Sequence, residues 1–143
     1  MRWELRPATA QDEGKLYEIH RAAMRDHVEA VWGWDEADQR ERFRAAFAPA
    51  RVSVIVSAGE PIGLLRVEQR TEEVFLASIE LAPEVQRRGL GGDIIRSVLS
   101  EAAQRGVPVR LQVFHRNPAR RLYERLGFHV VGETPTHVEM VHA

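Results

Sequence analysis

The chain has 143 residues, enough for one domain around a single sizeable core and cramped for two. Its 20 basic and 21 acidic residues leave a formal charge of −1, which argues against a nucleic-acid partner gripped by a basic face. With no cysteine, disulfides, zinc–thiolate sites and a cysteine acyl-enzyme are excluded, and the composition suits a cytoplasmic location.

The opening "MRWELRPATAQDE" carries acidic residues and no apolar h-region, so no signal peptide is expected. No stretch approaches the length of a membrane span, so no membrane partner is expected either. "RWELRPAT" reads as a short strand with Trp3 and Leu5 on one face. Thr9 with Asp12 three residues on resembles a capping box. Leu16, Ile19, His20, Ala23 and Met24 then recur at helical spacing and predict a first helix to about residue 28. "VWGWDEA" interrupts that pattern. Asp35 or Asp38 can cap a short second helix with Phe43 and Phe47 on one side, before Pro49.

"VSVIVS" and "PIGLLRVEQ" read as two strands joined by a hairpin turn at "AGEP". "EVFLASIEL" is a third, with Phe75, Ala77, Ile79 and Leu81 on one face and Val74, Leu76, Ser78 and Glu80 on the other. Apolar residues on both faces predict a central strand, whose second face turns polar only at Ser78 and Glu80. The turn "PEVQRRGLGGD" leads into a helix with Ile94, Ile95, Val98, Leu99 and Ala102 in one stripe, stopping at Gly106 ahead of Pro108. "VRLQV" is a strand. "NPARRLYERLGF" is a short helix with Asn117 as N-cap, Pro118 at the first helical position and Gly127 just past the end. "FHVVGE" and "HVEMV" close the chain as a hairpin around Thr134-Pro135, an edge through which two copies could pair as a homodimer. The fold class expected is α/β (α+β): one domain over residues 1–143, with a mixed, mostly antiparallel sheet of six to seven strands and about four helices.

A strand that passes through a glycine turn into a helix aims several free backbone N–H groups, and the positive end of the helix, at one spot. Gly89, Gly91 and Gly92 let a ligand approach that backbone closely, or simply relieve crowding where a helix starts. The turn lacks the ending of a Walker loop and is not a full dinucleotide fingerprint. Asn117 and Tyr123, six positions apart, do not share a face of an ideal helix. Asn117, as the cap, points off the end; the plain alternative is a capping asparagine with a core tyrosine.

Taken together, these two elements resemble the GNAT superfamily of N-acetyltransferases. "VQRRGLGGDII" is similar to the family's Q/R-x-x-G-x-G/A acetyl-CoA signature at Gln86, Gly89 and Gly91. "NPARRLYERLGF" is similar to its N-x-x-A-x-x-L-Y-x-x-x-G-F helix, with one residue fewer between Asn117 and Ala119. The resemblance implies the acyl-CoA N-acyltransferase fold, acetyl-CoA as co-substrate, no metal, and direct acetyl transfer to a primary amine in a ternary complex. It implies that the backbone from Arg87 through Arg88, Gly89, Leu90 and Gly91 to Gly92 holds the pyrophosphate. It further implies that Leu81 and Ala82 pair with pantetheine, that Asn117 binds the cofactor arm, and that Tyr123 lies near the thioester sulfur. Arg120 can reach the outer phosphates or lie on a solvated helix face.

Acetyl transfer needs a base for the amine and an acid for the leaving thiolate. Tyr123 is the expected acid. Glu80 is the first choice for the base, against the alternative of a sheet-face carboxylate paired with an arginine such as Arg66; His115 is the second candidate. "VWGWDEA" falls where the family places its variable acceptor-binding segment. Trp32 and Trp34 there can wall a cleft, with Asp26, Glu29 or Asp35 attracting an ammonium group, or the two indoles can pack the helix joint. The acceptor expected is a cationic small-molecule amine or a peptide N-terminus. The rival reading is a catalytically silent acyl-CoA-binding regulatory module, which needs neither Tyr123 nor a base.

Overall fold

The structure, a computed structural model, describes residues 2–143. Its strands are β1 (Glu4–Pro7), β2 (Val52–Ser57), β3 (Glu60–Gln69), β4 (Val74–Leu81), β5 (Val109–Phe114), β6 (His129–Glu133) and β7 (His137–His142). Its α-helices are α1 (Glu13–Trp32), α2 (Glu36–Ala46), α3 (Leu90–Arg105) and α4 (Ala119–Arg125). The strands form one seven-stranded sheet in the order β1-β2-β3-β4-β5-β7-β6, so β4 is central, as its two apolar faces predict. β4 and β5 run parallel, whereas the β1–β2, β2–β3, β5–β7 and β6–β7 ladders are antiparallel. Fold class and mixed sheet are those read from the sequence.

Two compact units make up the chain. One comprises the residues up to Arg66 together with Ser78–Arg88; the other comprises Val67–Ala77 with Gly89–Ala143.

In the first unit, the Asp12 carboxylate accepts the Thr9 N–H at 2.7 Å, which is one half of a capping box. The Arg6 guanidinium, at 2.9 Å, holds that carboxyl well below its ordinary range, at about 2. α1 runs to Trp32, past the end expected near residue 28. Nothing in residues 28–32 breaks a helix, and only Gly33, at φ 78°, turns the chain out of it. Asp35 caps α2 by accepting the Asp38 N–H at 2.9 Å. Between β2 and β3, Ala58 (φ 51°) and Gly59 (φ 78°) are both left-handed, as a two-residue hairpin turn of matching twist requires. β3 approaches β4 so closely at Gly63 that a Cβ there would collide with the Glu80 carbonyl oxygen. Along β4, Glu80 is buried while Ile79 and Leu81 are half-buried. The face that carries Ile79 and Leu81 is thus the more open one at this end, and the carboxylate points inward.

In the second unit, Leu90, Ile94, Ile95, Val98 and Ala102 of α3 are buried, and the four larger side chains each contribute roughly 1.5–3 kcal/mol. Gly106, at φ 70°, ends the helix. The β4–β5 ladder pairs Val74 with Val109 and Leu76 with Leu111. Asn117 Oδ1 accepts the Ala119 N–H at 2.9 Å, so Asn117 caps α4 although the regular helix begins at Ala119. β6 forms one edge of the sheet and exposes Val130 and Val131.

Candidate active site

A cavity of about 150 Å³ opens in the first unit. Phe43, Phe47, Val52 and Leu64 give it an apolar wall, and His20, Glu80, Gln39, Ser78, Arg66 and Arg42 supply its polar groups. Glu80 is the buried charged residue of the described core, 8% exposed. Its partner is His20 of α1, whose Nδ1 lies 2.9 Å from Oε1 and 3.1 Å from Oε2. Arg66, the partner weighed from the sequence, lines the same cavity without pairing with Glu80. Strand alternation can put Glu80 on a face, but only the packed helix decides which side chain meets it.

Burial alone would make the His20 imidazole harder to protonate. The hydrogen bond and negative charge of Glu80 outweigh that cost, with a smaller contribution from Gln39, and its pKa ends above the ordinary 6.5. Phe43 stacks on the ring at 5.2 Å. With Nδ1 committed to Glu80, Nε2 is the nitrogen left to exchange a proton. Sequence reading passed over His20 because it falls within the apolar stripe of α1. Its signal was being the one titratable group of that stripe.

Trp32, Trp34 and Glu29 are not among the residues lining the cavity. Trp32 is 61% exposed. Trp34 packs near His20, ring centres 6.2 Å apart, and buries its indole N–H. Glu29 lies 3.8 Å from Arg25, and Asp26 is exposed.

At the end of β4, the Leu81 carbonyl accepts the Gln86 side-chain amide at 2.9 Å, which ties the following turn back to the strand. Ala82 donates its N–H to Ile62 O at 2.8 Å, on the β3 side. By strand alternation, Ile79 and Leu81 turn their backbone groups to the side away from β3. Arg87 and Arg88 close the first unit, both exposed, and Arg87 holds a left-handed φ of 63° that costs a non-glycine residue of order 1 kcal/mol.

The second unit resumes at Gly89, also left-handed at φ 79° and the N-cap of α3. No side chain caps this helix start, and a Cβ at Gly89 would meet nothing within 4 Å. The first amides of α3, at Leu90, Gly91 and Gly92, therefore lack the partner that a serine or aspartate cap would supply. In the same unit, Tyr123 of α4 is 8% exposed and meets Phe128 edge-on at 5.8 Å. Arg120 Nε lies 3.2 Å from Glu124 but out of hydrogen-bonding alignment. His115 has its Nε2 2.7 Å from the Thr134 carbonyl oxygen, so that ring nitrogen is engaged by the backbone.

No helix among the described residues is long and apolar enough to cross a membrane. Among the same residues, no group of three or more His, Cys, Asp or Glu is placed to hold a metal ion.

A search of curated protein sequences gives no match. Solved structures do match. A PaiA N-acetyltransferase from Thermoplasma acidophilum in complex with coenzyme A superposes with a TM-score of 0.81 at 16% identity, covering 99% of both chains. An acetyltransferase from Thermus thermophilus gives 0.78 at 20% identity, covering 99% of this chain and 97% of its own. A ribosomal-protein alanine N-acetyltransferase from Escherichia coli gives 0.73 at 21%, covering 99% and 93%. The sequence itself matches the Acetyltransferase (GNAT) family over residues 14–128. Family match and fold agree: the chain belongs to the GNAT family of acetyltransferases.

Proposed function

We propose that the protein transfers an acetyl group from acetyl-CoA directly to a primary amine held in the cavity of the first unit, within one ternary complex. The observation that carries this reading is the His20–Glu80 pair in the wall of a largely apolar cavity. An amine must lose a proton to become a nucleophile, and a histidine ring nitrogen is suited to take it. His20 Nε2 receives that proton. Glu80 accepts the Nδ1–H, fixes the tautomer and stabilises the imidazolium that forms. Glu80, the first choice for the base from sequence, becomes a positioning residue.

The residues present fit acetyl-CoA. The uncapped start of α3, with Gly89 as its side-chain-free cap, suits a pyrophosphate on the amides from Arg87 to Gly92. The backbone of Ile79 and the N–H of Leu81 suit pantetheine, a shift of one register step from Leu81 and Ala82, because the Ala82 N–H is bonded to Ile62 and the Leu81 carbonyl accepts from Gln86. Asn117 keeps its side-chain NH₂ for the cofactor arm, as its Oδ1 is spent on Ala119. When bound, acetyl-CoA supplies an acyl thioester whose carbon takes the amine and whose sulfur departs. The Tyr123 phenol provides the proton for that sulfur. The reading takes residues 1–143 as one catalytic domain. Absence of cysteine supports direct transfer, because no thiol can carry the acetyl group between partners.

Initial rates of thiol release, with acetyl-CoA and amine varied together, test it. Intersecting double-reciprocal lines are expected. Parallel lines mean an acetylated enzyme, and direct transfer is then wrong.

A further inference from the structure

Within that reading, on which this inference rests, we propose that the acceptor is a free apolar α-amino acid whose carboxylate is bound by Arg66. The cavity carries two guanidinium groups. Arg42 is 74% exposed and already paired with Asp38 at 2.7 Å. Arg66 is half-buried on β3, and its guanidinium has no ion pair or hydrogen bond among the described residues.

A half-buried cation in an apolar wall has given up hydration without a replacement partner, and an anion arriving there restores it. The planar fork of arginine matches a carboxylate with two parallel hydrogen bonds. The Ser78 hydroxyl lines the same cavity as a second donor.

The rest of the wall fits the other parts of an amino acid. The His20–Glu80 pair receives the α-amine. Phe43, Phe47, Val52 and Leu64 receive an apolar side chain. The volume, about 150 Å³, is that of a cavity that takes a benzene-sized group, so the site holds one residue rather than a length of peptide.

Charge decides against the cationic acceptor expected from the sequence. The single carboxylate in the wall is Glu80, and His20 occupies it, whereas the guanidinium of Arg66 lines the same wall without a counter-ion. A polyamine would bring further positive charge to Arg66 with nothing to neutralise it. A peptide N-terminus would place a neutral amide where the guanidinium requires an anion.

The test is calorimetry of the full chain without acetyl-CoA, titrated with L-methionine, L-methioninamide and spermidine. Methionine should bind, the amide about tenfold or more weakly, and spermidine not measurably. In Arg66→Gln, shown by thermal melting to be folded, methionine and its amide should bind alike, and Arg66→Lys should keep part of the preference. Amide binding equal to or tighter than methionine in the unmodified chain, or tight spermidine binding, overturns the proposal.

Thiol release from acetyl-CoA with the same three compounds separates this inference from the reading beneath it. Turnover with the amide or spermidine but not methionine leaves N-acetyl transfer standing and removes the amino acid. Methionine binding that depends on Arg66, with no thiol released by any amine, keeps the pocket assignment and removes the proposed transfer.

Discussion

His20 Nδ1 sits within hydrogen-bonding distance of both carboxylate oxygens of Glu80, at 2.9 and 3.1 Å, across 60 residues of sequence. The contact binds the middle of the first helix to the end of the central strand and leaves Nε2 as the ring nitrogen not held by the carboxylate. Because Glu80 raises the His20 pKa above 6.5 against the opposing effect of burial, the pair sets the pH at which an amine can be deprotonated in the cavity.

The activity profile should report that pair. kcat/KM is expected to rise with pH through a group above 6.5, as neutral His20 accumulates. Glu80→Gln keeps a hydrogen-bond acceptor for Nδ1–H but removes the charge, so the acidic limb should move to lower pH while activity persists at a reduced level. His20→Gln should lose roughly 10²-fold or more at every pH. Complete loss in Glu80→Gln alongside near-normal activity in His20→Gln would restore Glu80 as the base.

Stability should follow the same proton with a definite sign. A group whose pKa is raised by folding contributes stability that is fully present below its unfolded value and lost as pH rises through its folded value. The difference in melting temperature between the unmodified chain and Glu80→Gln should therefore be larger just below pH 6.5 than well above the folded His20 pKa. A difference that grows with rising pH would contradict the assigned shift.

Tyr123→Phe should bind acetyl-CoA with little change, because the ring packed edge-on to Phe128 is retained. Its turnover should fall by about 10²-fold if the phenol protonates the leaving sulfur. Calorimetry for binding and thiol release for rate measure the two separately. Undiminished turnover removes Tyr123 from the acid role.

Gly89→Val should weaken acetyl-CoA binding more than Arg87→Ala. The Gly89 φ of 79° is unsuited to a β-branched residue even though its Cβ would meet open space, so the loss acts through the backbone amides. Arg87→Ala removes a side chain and keeps its amide. Equal affinities in the two variants would reduce the turn to an ordinary helix start.

Gly63→Ala should destabilise the fold by about 1–3 kcal/mol, the usual range for overpacking. The added methyl collides with the Glu80 carbonyl oxygen and reaches 2.9 Å from Leu81 Cδ2 and 3.1 Å from Ile55 Cδ1. The midpoint of urea unfolding gives the measure. Because the collision falls on the strand that carries Glu80, kcat should fall as well, even where the protein remains folded.

Local chemistry by itself determined most of the elements. Gly106 and Gly127 end helices, Asp35 and Asn117 cap them, and Ala58-Gly59 closes a hairpin, each through bonds or dihedrals within a few residues of itself. The apolar residues on both faces of Val74–Leu81 likewise marked the central strand, and "QRRGLGG" with "NPARRLYERLGF" carried the family. The tertiary structure decided which side chains meet. His20 looked like one more position in an apolar stripe, and Arg66 like a partner for Glu80, until helix packing placed the first against the carboxylate and left the second without one. Trp32 and Trp34 were the conspicuous aromatics, yet Phe43 and Phe47 form the cavity wall. Periodicity fixes the face a residue occupies, but the partner on that face comes from an element distant in sequence, through contacts that no local pattern encodes.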